Sequence, residues 1–394
     1  MKIVHAVGYF VPELGYQEYY LAKKHREMGH DVHVITSDML YPFPDIEEML
    51  KEAGAKDTSR KRKAGLAVID GIKVHRLRHF FEYSDFIACG GFKECLKKIR
   101  PDIVFSHESR QAFTLPAAFY KKKIGYRLIV DQHDFYHKIP KHPITKKILR
   151  FLDYNIIRRP IVNYCLSKAD RVVAVTQETK DFLVKSHGIK PSRIKLIPLG
   201  VDMDFFRFNG KKREELRKKL GFRDKDTVLV FSGTIVRRKG LELLLNALAE
   251  MKEGSVKLLI VGGGESAYIS ELKALAKKNG LEGRIAFTGF VDKKKVKDYF
   301  SAADVGVWPG NNSVSIIEAM ACSLPIIIVD LQLSHLVSFG NGIKFRQNDK
   351  EGLKDAILKI AKDHKLRKSM ALNSLKAAKE NYSYDKIAAE FLRL

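Results

Sequence analysis

Val228-Leu-Val-Phe-Ser232 runs through Gly233-Thr-Ile-Val-Arg-Arg-Lys-Gly240 into Leu241-Glu-Leu-Leu-Leu-Asn-Ala-Leu-Ala-Glu250. The first piece is a short apolar, β-branched run without polar alternation, the pattern of a strand buried on both faces. The last piece repeats apolar residues at helical spacing. Between them a glycine turn delivers Arg237, Arg238 and Lys239 to the mouth of a helix. The same grammar returns in Val305-Gly-Val-Trp308, followed by Pro309-Gly-Asn-Asn-Ser-Val-Ser-Ile-Ile-Glu318-Ala-Met-Ala-Cys-Ser-Leu-Pro325. A strand, a turn and a helix in this order make a βα unit, and two of them in series specify parallel strands.

Outward from these segments the pattern repeats along the chain. Apolar runs at 3–7, 32–36, 72–76, 103–106, 128–131 and 172–175 read as strands of a first half. Runs at 228–232, 257–261, 285–288, 305–308 and 326–329 read as strands of a second half. Helical spacing marks 16–28, 111–122, 145–167, 176–186, 241–251, 269–278, 293–302 and a last helix at 384–392. The expected fold class is α/β, with two doubly wound domains joined near Ile197-Pro-Leu-Gly-Val-Asp202. The boundaries are 1–198, 199–380 and a closing segment 381–394 that packs back on the first domain. Ligands of open α/β sheets gather at the carboxyl ends of the strands, so a cleft between the domains is expected there.

Bulk composition agrees. The chain has 394 residues, too many for one ordinary core, with 45% hydrophobic and 30% charged residues. Its net charge is 71 − 46 = +25. Such an excess must face water and favours nucleic acid, an anionic membrane surface or phosphorylated substrates. The lysines are spread rather than interleaved with aromatic platforms, which argues against nucleic acid. Basic stretches at 138–159 and 56–63 instead fit docking on an anionic membrane, or an ordinary solvated face. The 51–63 segment reads as a mobile loop. The four cysteines, Cys89, Cys95, Cys165 and Cys322, form no Cys-x-x-Cys pair and read as packed thiols in a reducing compartment. The first residues are too quickly interrupted for a signal peptide, and no apolar run is long enough to cross a bilayer.

The candidate chemistry lies at the strand-to-helix turns. Lys239, with Gly233, Thr234 and Arg238 beside it, suits a diphosphate at a helix start. Glu318, about one turn into the next helix, has two acceptor oxygens for the hydroxyls of a ribose. Asn311, Asn312, Ser313, Val314 and Ser315 form the polar loop before it. Val261-Gly-Gly-Gly264-Glu265 and Phe287-Thr-Gly-Phe290 close two further strands, the latter with an aromatic for a base. In the first half, Gly15 and Tyr16 follow the first strand, and His107 and His133 end two others. A histidine at a strand end can bind a sugar or shuttle a proton. No His/Asp/Glu group has metal-ligand spacing, and Asp202-Met-Asp204 is read as part of the interdomain connection.

In this order the segments resemble the family-four retaining glycosyltransferases of the GT-B fold, over essentially the whole chain. The matching pieces are Tyr9-Phe-Val-Pro-Glu-Leu-Gly15, Gly29-His-Asp-Val-His-Val-Ile-Thr36, Arg100-Pro-Asp-Ile-Val-Phe-Ser-His107 and Asp131-Gln-His-Asp134. They continue with Ala169-Asp-Arg-Val-Val-Ala-Val-Thr176, Ile197-Pro-Leu-Gly-Val-Asp202, Arg238-Lys-Gly240, Ile260-Val-Gly-Gly-Gly264, Thr288-Gly-Phe290 and Glu318-Ala-Met-Ala-Cys-Ser-Leu-Pro325. The resemblance implies that the second domain holds a UDP- or GDP-sugar as co-substrate, with no cofactor and no metal. It implies that the first domain holds a glycan or lipid-linked acceptor. Lys239 would bind the diphosphate, Glu318 the ribose, and Phe290 and its neighbours the base. Gly15 and Tyr16 would lie near phosphate and acceptor, and His133 would contact the donor sugar. Residues 311–315 would place amides against sugar and phosphate. The location implied is cytoplasmic, or peripheral on the cytoplasmic face of a membrane.

Two positions depart from the family pattern. Gly310 stands where a donor-contacting Glu is usual, with Asn311, Asn312 or Ser313 as its replacements and a changed sugar preference. Thr234 stands where an Arg is usual beside the phosphate turn, with Arg237 or Arg238 as replacement cations. A catalytically silent GT-B protein that binds glycan or lipid is therefore the alternative reading.

Overall fold

The apolar runs become strands because each can bury both faces of its pleat between helices. The computed structural model describes residues 1–43, 46–52, 54–84, 86–133, 158–251, 254–311, 313–331 and 333–394. The chain divides into one unit of Met1–Leu199 with Tyr384–Leu394, and another of Gly200–Ser383.

In the first unit the strands are β1 (Lys2–Ala6), β2 (Asp31–Ser37), β3 (Gly65–Ile69), β4 (Ile72–Leu77), β5 (His79–Tyr83), β6 (Phe86–Cys89), β7 (Ile103–His107), β8 (Arg127–Gln132), β9 (Arg171–Ala174) and β10 (Ile194–Leu196). Eight of them form a sheet in the order β10-β9-β8-β7-β1-β2-β4-β3. Alternate residues feed two cores. Val4, Val104, Leu128 and Val130 pack under the helices Phe92–Ile99, Thr114–Ile124 and Arg159–Lys168. Ile3, Ile103, Phe105 and Ile129 pack under Gln17–Glu27 and Tyr384–Leu392. The last helix is fixed by stacking of Tyr384 on Tyr20, ring centroids 4.7 Å apart, and by Lys24 Nζ on the Asp385 carboxylate at 2.9 Å.

The second unit has β11 (Thr227–Ser232), β12 (Val256–Val261), β13 (Ile285–Phe287), β14 (Val305–Trp308), β15 (Ile326–Val329) and β16 (Gly342–Phe345), in the order β13-β12-β11-β14-β15-β16. All five pairings are parallel. Every residue of β11, β14 and β15 is buried, as their unbroken apolar sequences require.

The parallel sheets match the α/β expectation, with one correction: β3 runs antiparallel to β4. Asp70 and Gly71 join them at φ of 49° and 75°, the two left-handed positions of a tight hairpin turn. An Asp-Gly pair between apolar runs carries that signal in the sequence. β5 and β6 form a second, separate hairpin. The expected loop at 51–63 is also tethered. Met39 bridges Lys61, the Arg60 guanidinium meets Glu82, and Arg62 pairs with Asp57 at 3.0 Å. The helix expected at 145–167 is seen from Arg159 to Lys168; its earlier part, like most of the basic stretch 138–159, lies outside the described residues.

Candidate active site

In an open α/β sheet the chain leaves the first strand in opposite directions at one point, and the two diverging turns leave a crevice at the strands' carboxyl ends. In the second unit this point lies between β11 and β14, which pair directly. Lys239 follows β11 in a one-turn helix, Arg237–Lys239, and Glu318 follows β14 in the helix Ser315–Ala321. The two turns are tied together. Lys239 Nζ donates to the Asn311 carbonyl at 2.8 Å, and the Asn311 amide donates to the Arg238 carbonyl at 2.9 Å. Beneath them the Ser315 hydroxyl and the Trp308 indole N–H both donate to the Ser232 carbonyl, at 2.7 and 3.1 Å. Ser313 lies 2.6 Å from the Ser315 hydroxyl.

Burial and the neighbouring Arg238 lower Lys239 to about 8. Burial raises the Glu318 carboxyl above its usual range, opposed by Lys293, whose Nζ lies 3.6 Å away. A lysine and a carboxylate both held in poorly hydrated positions gain more from a ligand than solvated ones do.

Glycines make the crevice close-walled. A Cβ on Gly262 would lie 2.1 Å from the Gly233 carbonyl oxygen, and one on Gly264 would lie 2.0 Å from that of Ile235. One on Gly310 would lie 2.5 Å from the Arg238 carbonyl oxygen. A side chain at 310 would thus press on main chain, because the loop lies against the lysine turn; Asn311 and Ser313, expected to replace the usual Glu, stand on that same loop. The cation expected from Arg237 is also committed elsewhere. Its guanidinium pairs with Glu271 at 2.6 Å and lies over the Tyr268 ring. Arg238 and Thr234 are exposed at the same turn, as is Val314 on the loop. Phe290 is half exposed, with its Cβ against the Gly263 position. Asn312 lies outside the described residues. Asp202 is spent locally, its carboxylate accepting from the amides of Asp204 and Phe205.

The first unit has its own reversal point between β1 and β7, which also pair directly. Gly15 and Tyr16 follow β1, with Gly15 at φ 62° and Tyr16 exposed. A Cβ on Gly15 would press on the Tyr20 hydroxyl at 2.9 Å. His107 ends β7 and His133 follows β8, and the structure brings both to one carboxylate. His107 Nδ1 lies 2.8 Å and His133 Nε2 3.7 Å from Asp131 Oδ2. Gln17 donates to the same oxygen at 3.3 Å, and the Glu108 amide to its partner at 3.1 Å. Burial opposes charge on His133, but Asp131 outweighs it and raises the ring to about 9. Burial raises Glu18, which feels His107 and His133. Sequence reasoning missed Gln17, Glu18 and Asp131 as site residues. Their signal was position: two directly follow the Gly15 turn and the third lies at the end of β8. The two sets, around Lys239 and around Asp131, belong to different units.

Comparison with known proteins identifies this arrangement. Residues 17–205 match the description "Glycosyltransferase Family 4" and residues 212–377 match "Glycosyl transferases group 1". The chain is 29% identical over 238 residues to a D-inositol 3-phosphate glycosyltransferase of Xylanimonas cellulosilytica, covering 58% of this chain and 57% of that protein. It thus spans little more than half the length of that relative. It is 25% identical over 410 residues to an uncharacterized glycosyltransferase of Methanocaldococcus jannaschii, covering 100% of this chain and 98% of that one. Its fold is similar to the crystal structure of Anabaena HepE in complex with UDP, with TM-score 0.73, 18% identity, and coverage of 100% and 99%. The two matched descriptions lie end to end along the chain, each over one set of turns, and the chain belongs to the family-four, group 1 glycosyltransferases of the GT-B fold.

Proposed function

We propose that the protein is a retaining, metal-independent glycosyltransferase that moves a sugar from a UDP- or GDP-sugar to a glycan or lipid-linked acceptor. The observation that carries this reading is the placement of Lys239 and Glu318 on the helical turns that follow the two strands flanking the reversal point of the second sheet. A nucleoside diphosphate lying across that point presents its phosphates to the Lys239 turn and its ribose to Glu318. Phe290 and the glycine turn at Gly264 then flank the base. The lysine's charge counters the negative charge that grows on the leaving diphosphate as the glycosidic bond to it breaks.

Retention follows in this reading if the departing phosphate accepts the acceptor's proton on the face where the acceptor attacks. Within the first unit, the His133–Asp131 pair, Gly15, Tyr16 and His107 are the residues proposed for contact with sugar and acceptor. HepE, similar in fold, was crystallised with UDP and with UDP-glucose, which supports a uridine donor here. A docking face on an anionic membrane is supported by the helices Thr114–Ile124 and Arg159–Lys168. There Phe119 is exposed beneath Lys123, and Tyr164 lies beneath Lys168.

A panel of UDP-, GDP- and ADP-sugars tested by thermal shift examines the reading. One nucleotide should raise the melting temperature by mass action, and Lys239→Ala should abolish the rise. No shift with any nucleotide, or an unchanged shift in Lys239→Ala, would overturn it.

A further inference from the structure

Three buried histidines lie in line behind the first unit's candidate site. His25 Nδ1 is 3.1 Å from His5 Nε2, and His5 Nδ1 is 2.9 Å from His107 Nε2. The outer nitrogen of His107 meets the Asp131 carboxylate at 2.8 Å. The outer nitrogen of His25 meets the main-chain carbonyl of Ala388, in the final helix, at 3.1 Å. The His5 and His107 rings are within 4° of parallel with centroids 5.3 Å apart, so with nitrogens in contact they lie edge to edge in one plane. All three rings are buried, with exposures of 0%, 0% and 5%.

Proton counting decides what this line must be. The carbonyl of Ala388 can only accept, so His25 Nε2 carries a hydrogen. A neutral His25 then has a bare Nδ1, and His5 Nε2 must donate to it. A neutral His5 in turn has a bare Nδ1, and His107 Nε2 must donate. His107 also faces Asp131, a carboxylate. Four hydrogen bonds link the five groups, and each needs one hydrogen. Three neutral imidazoles supply only three.

We propose that His25, His5 and His107 form a one-directional hydrogen-bonded chain holding one proton more than three neutral rings, and that His5 and His25 thereby act as positioning residues that keep an imidazolium against Asp131, beside His133. The extra proton belongs at the Asp131 end, where the only buried anion of the line neutralises it. The fields along the line agree. Burial opposes charge on His107, but Asp131 outweighs it and raises that ring. Burial lowers His5 well below its ordinary value and lowers His25 to about 4, so neither takes the charge. Facing His107 are Asp131, Glu18, His133 and His5; facing His25 are His5, His30 and His107. On the final helix Asp385 is held by Lys24. The direction of the chain is therefore set by an acceptor, Ala388, that lies 363 positions from His25 in sequence. This proton inventory belongs to the first unit and does not depend on sugar transfer.

Nitrogen–proton correlation spectra of the full chain, labelled with nitrogen-15 at histidine, read the protonation of each ring nitrogen. The expected spectrum at neutral pH has a doubly protonated His107, with His5 and His25 protonated at Nε2 only. His25→Leu removes the link to Ala388 and lets the chain run in reverse. His5 then donates from Nδ1 and His107 becomes neutral, titrating at a lower pH than in the parent. His25→Gln offers an oxygen to His5 and an N–H to Ala388, and should restore the imidazolium. Three neutral rings in the parent would overturn the proposal, as would an imidazolium unchanged by His25→Leu. Should the leucine variant fail to fold, the parent spectrum alone decides.

Discussion

Lys239 and Gly310 carry opposite parts of the second unit's chemistry, one by its charge and the other by lacking a side chain. Gly310 lets the 309–311 main chain lie on the lysine turn, where Asn311 both donates to Arg238 and accepts from Lys239. A methyl group there meets main chain that has no rotamer to escape into. Gly310→Ala should therefore cost about 1–3 kcal/mol by overpacking, lowering the melting temperature by about 2–4 °C for each kcal/mol. It should weaken nucleotide binding as well, because the clamp on Lys239 opens. An alanine variant that melts with the parent would contradict this. The charge on Lys239 sets a pH dependence. Burial lowers its pKa to about 8, so the free protein loses this cation as pH rises through that value. Nucleoside diphosphate affinity measured calorimetrically should fall above pH 8, and the fall should vanish in Lys239→Ala. The positions of Lys239 and Glu318 were legible because each sits at a strand-to-helix turn. The burial of Gly310 against main chain was not, since nothing in a sequence records which carbonyl faces a missing Cβ.

At the scale of elements, the buried strands announced themselves. Uninterrupted runs such as Val228-Leu-Val-Phe and Ile326-Ile-Ile-Val permit no solvent-facing side, so helices must cover both faces. β3 did not announce itself. Leu66 and Val68 are 64% and 67% exposed on an edge strand, where apolar pattern carries little information about burial. The final helix was legible as a helix, but its partners were not, because they lie more than 350 positions earlier: Tyr20 for Tyr384 and His25 for Ala388. Tyr384, Ile387 and Phe391 are buried against the first unit. At about 1.5–3 kcal/mol for each large buried side chain, their removal takes away an amount comparable with the whole stability of a typical domain, about 5–15 kcal/mol. Deletion of 384–394 should abolish the calorimetric transition of the first unit. Retention of both transitions at parental temperature would show that the helix is dispensable.

For the whole molecule, the surplus of positive charge has chemical sense if both ligand and acceptor are anionic. In the proposed reading a nucleoside diphosphate-sugar would bring its phosphates to the second unit's reversal point, and an acceptor on an anionic membrane would be met by lysines lying over aromatic rings. Composition alone left nucleic acid open. The ordered turns and the matched family descriptions support the proposed sugar transfer, while base, sugar and acceptor depend on pocket details that family membership does not fix. In the proposed function Glu318 grips the ribose of a nucleotide whose phosphates sit at Lys239. The most direct measurement titrates the best-binding nucleoside diphosphate and its 2′-deoxy counterpart into the parent and into Glu318→Ala. Hydrogen bonds to a charged group contribute about 1.5–3 kcal/mol, so the parent should prefer the ribonucleotide by roughly 10- to 100-fold. In Glu318→Ala that preference should disappear while Lys239-dependent binding persists. An equal preference in both proteins would mean that Glu318 does not hold the ribose.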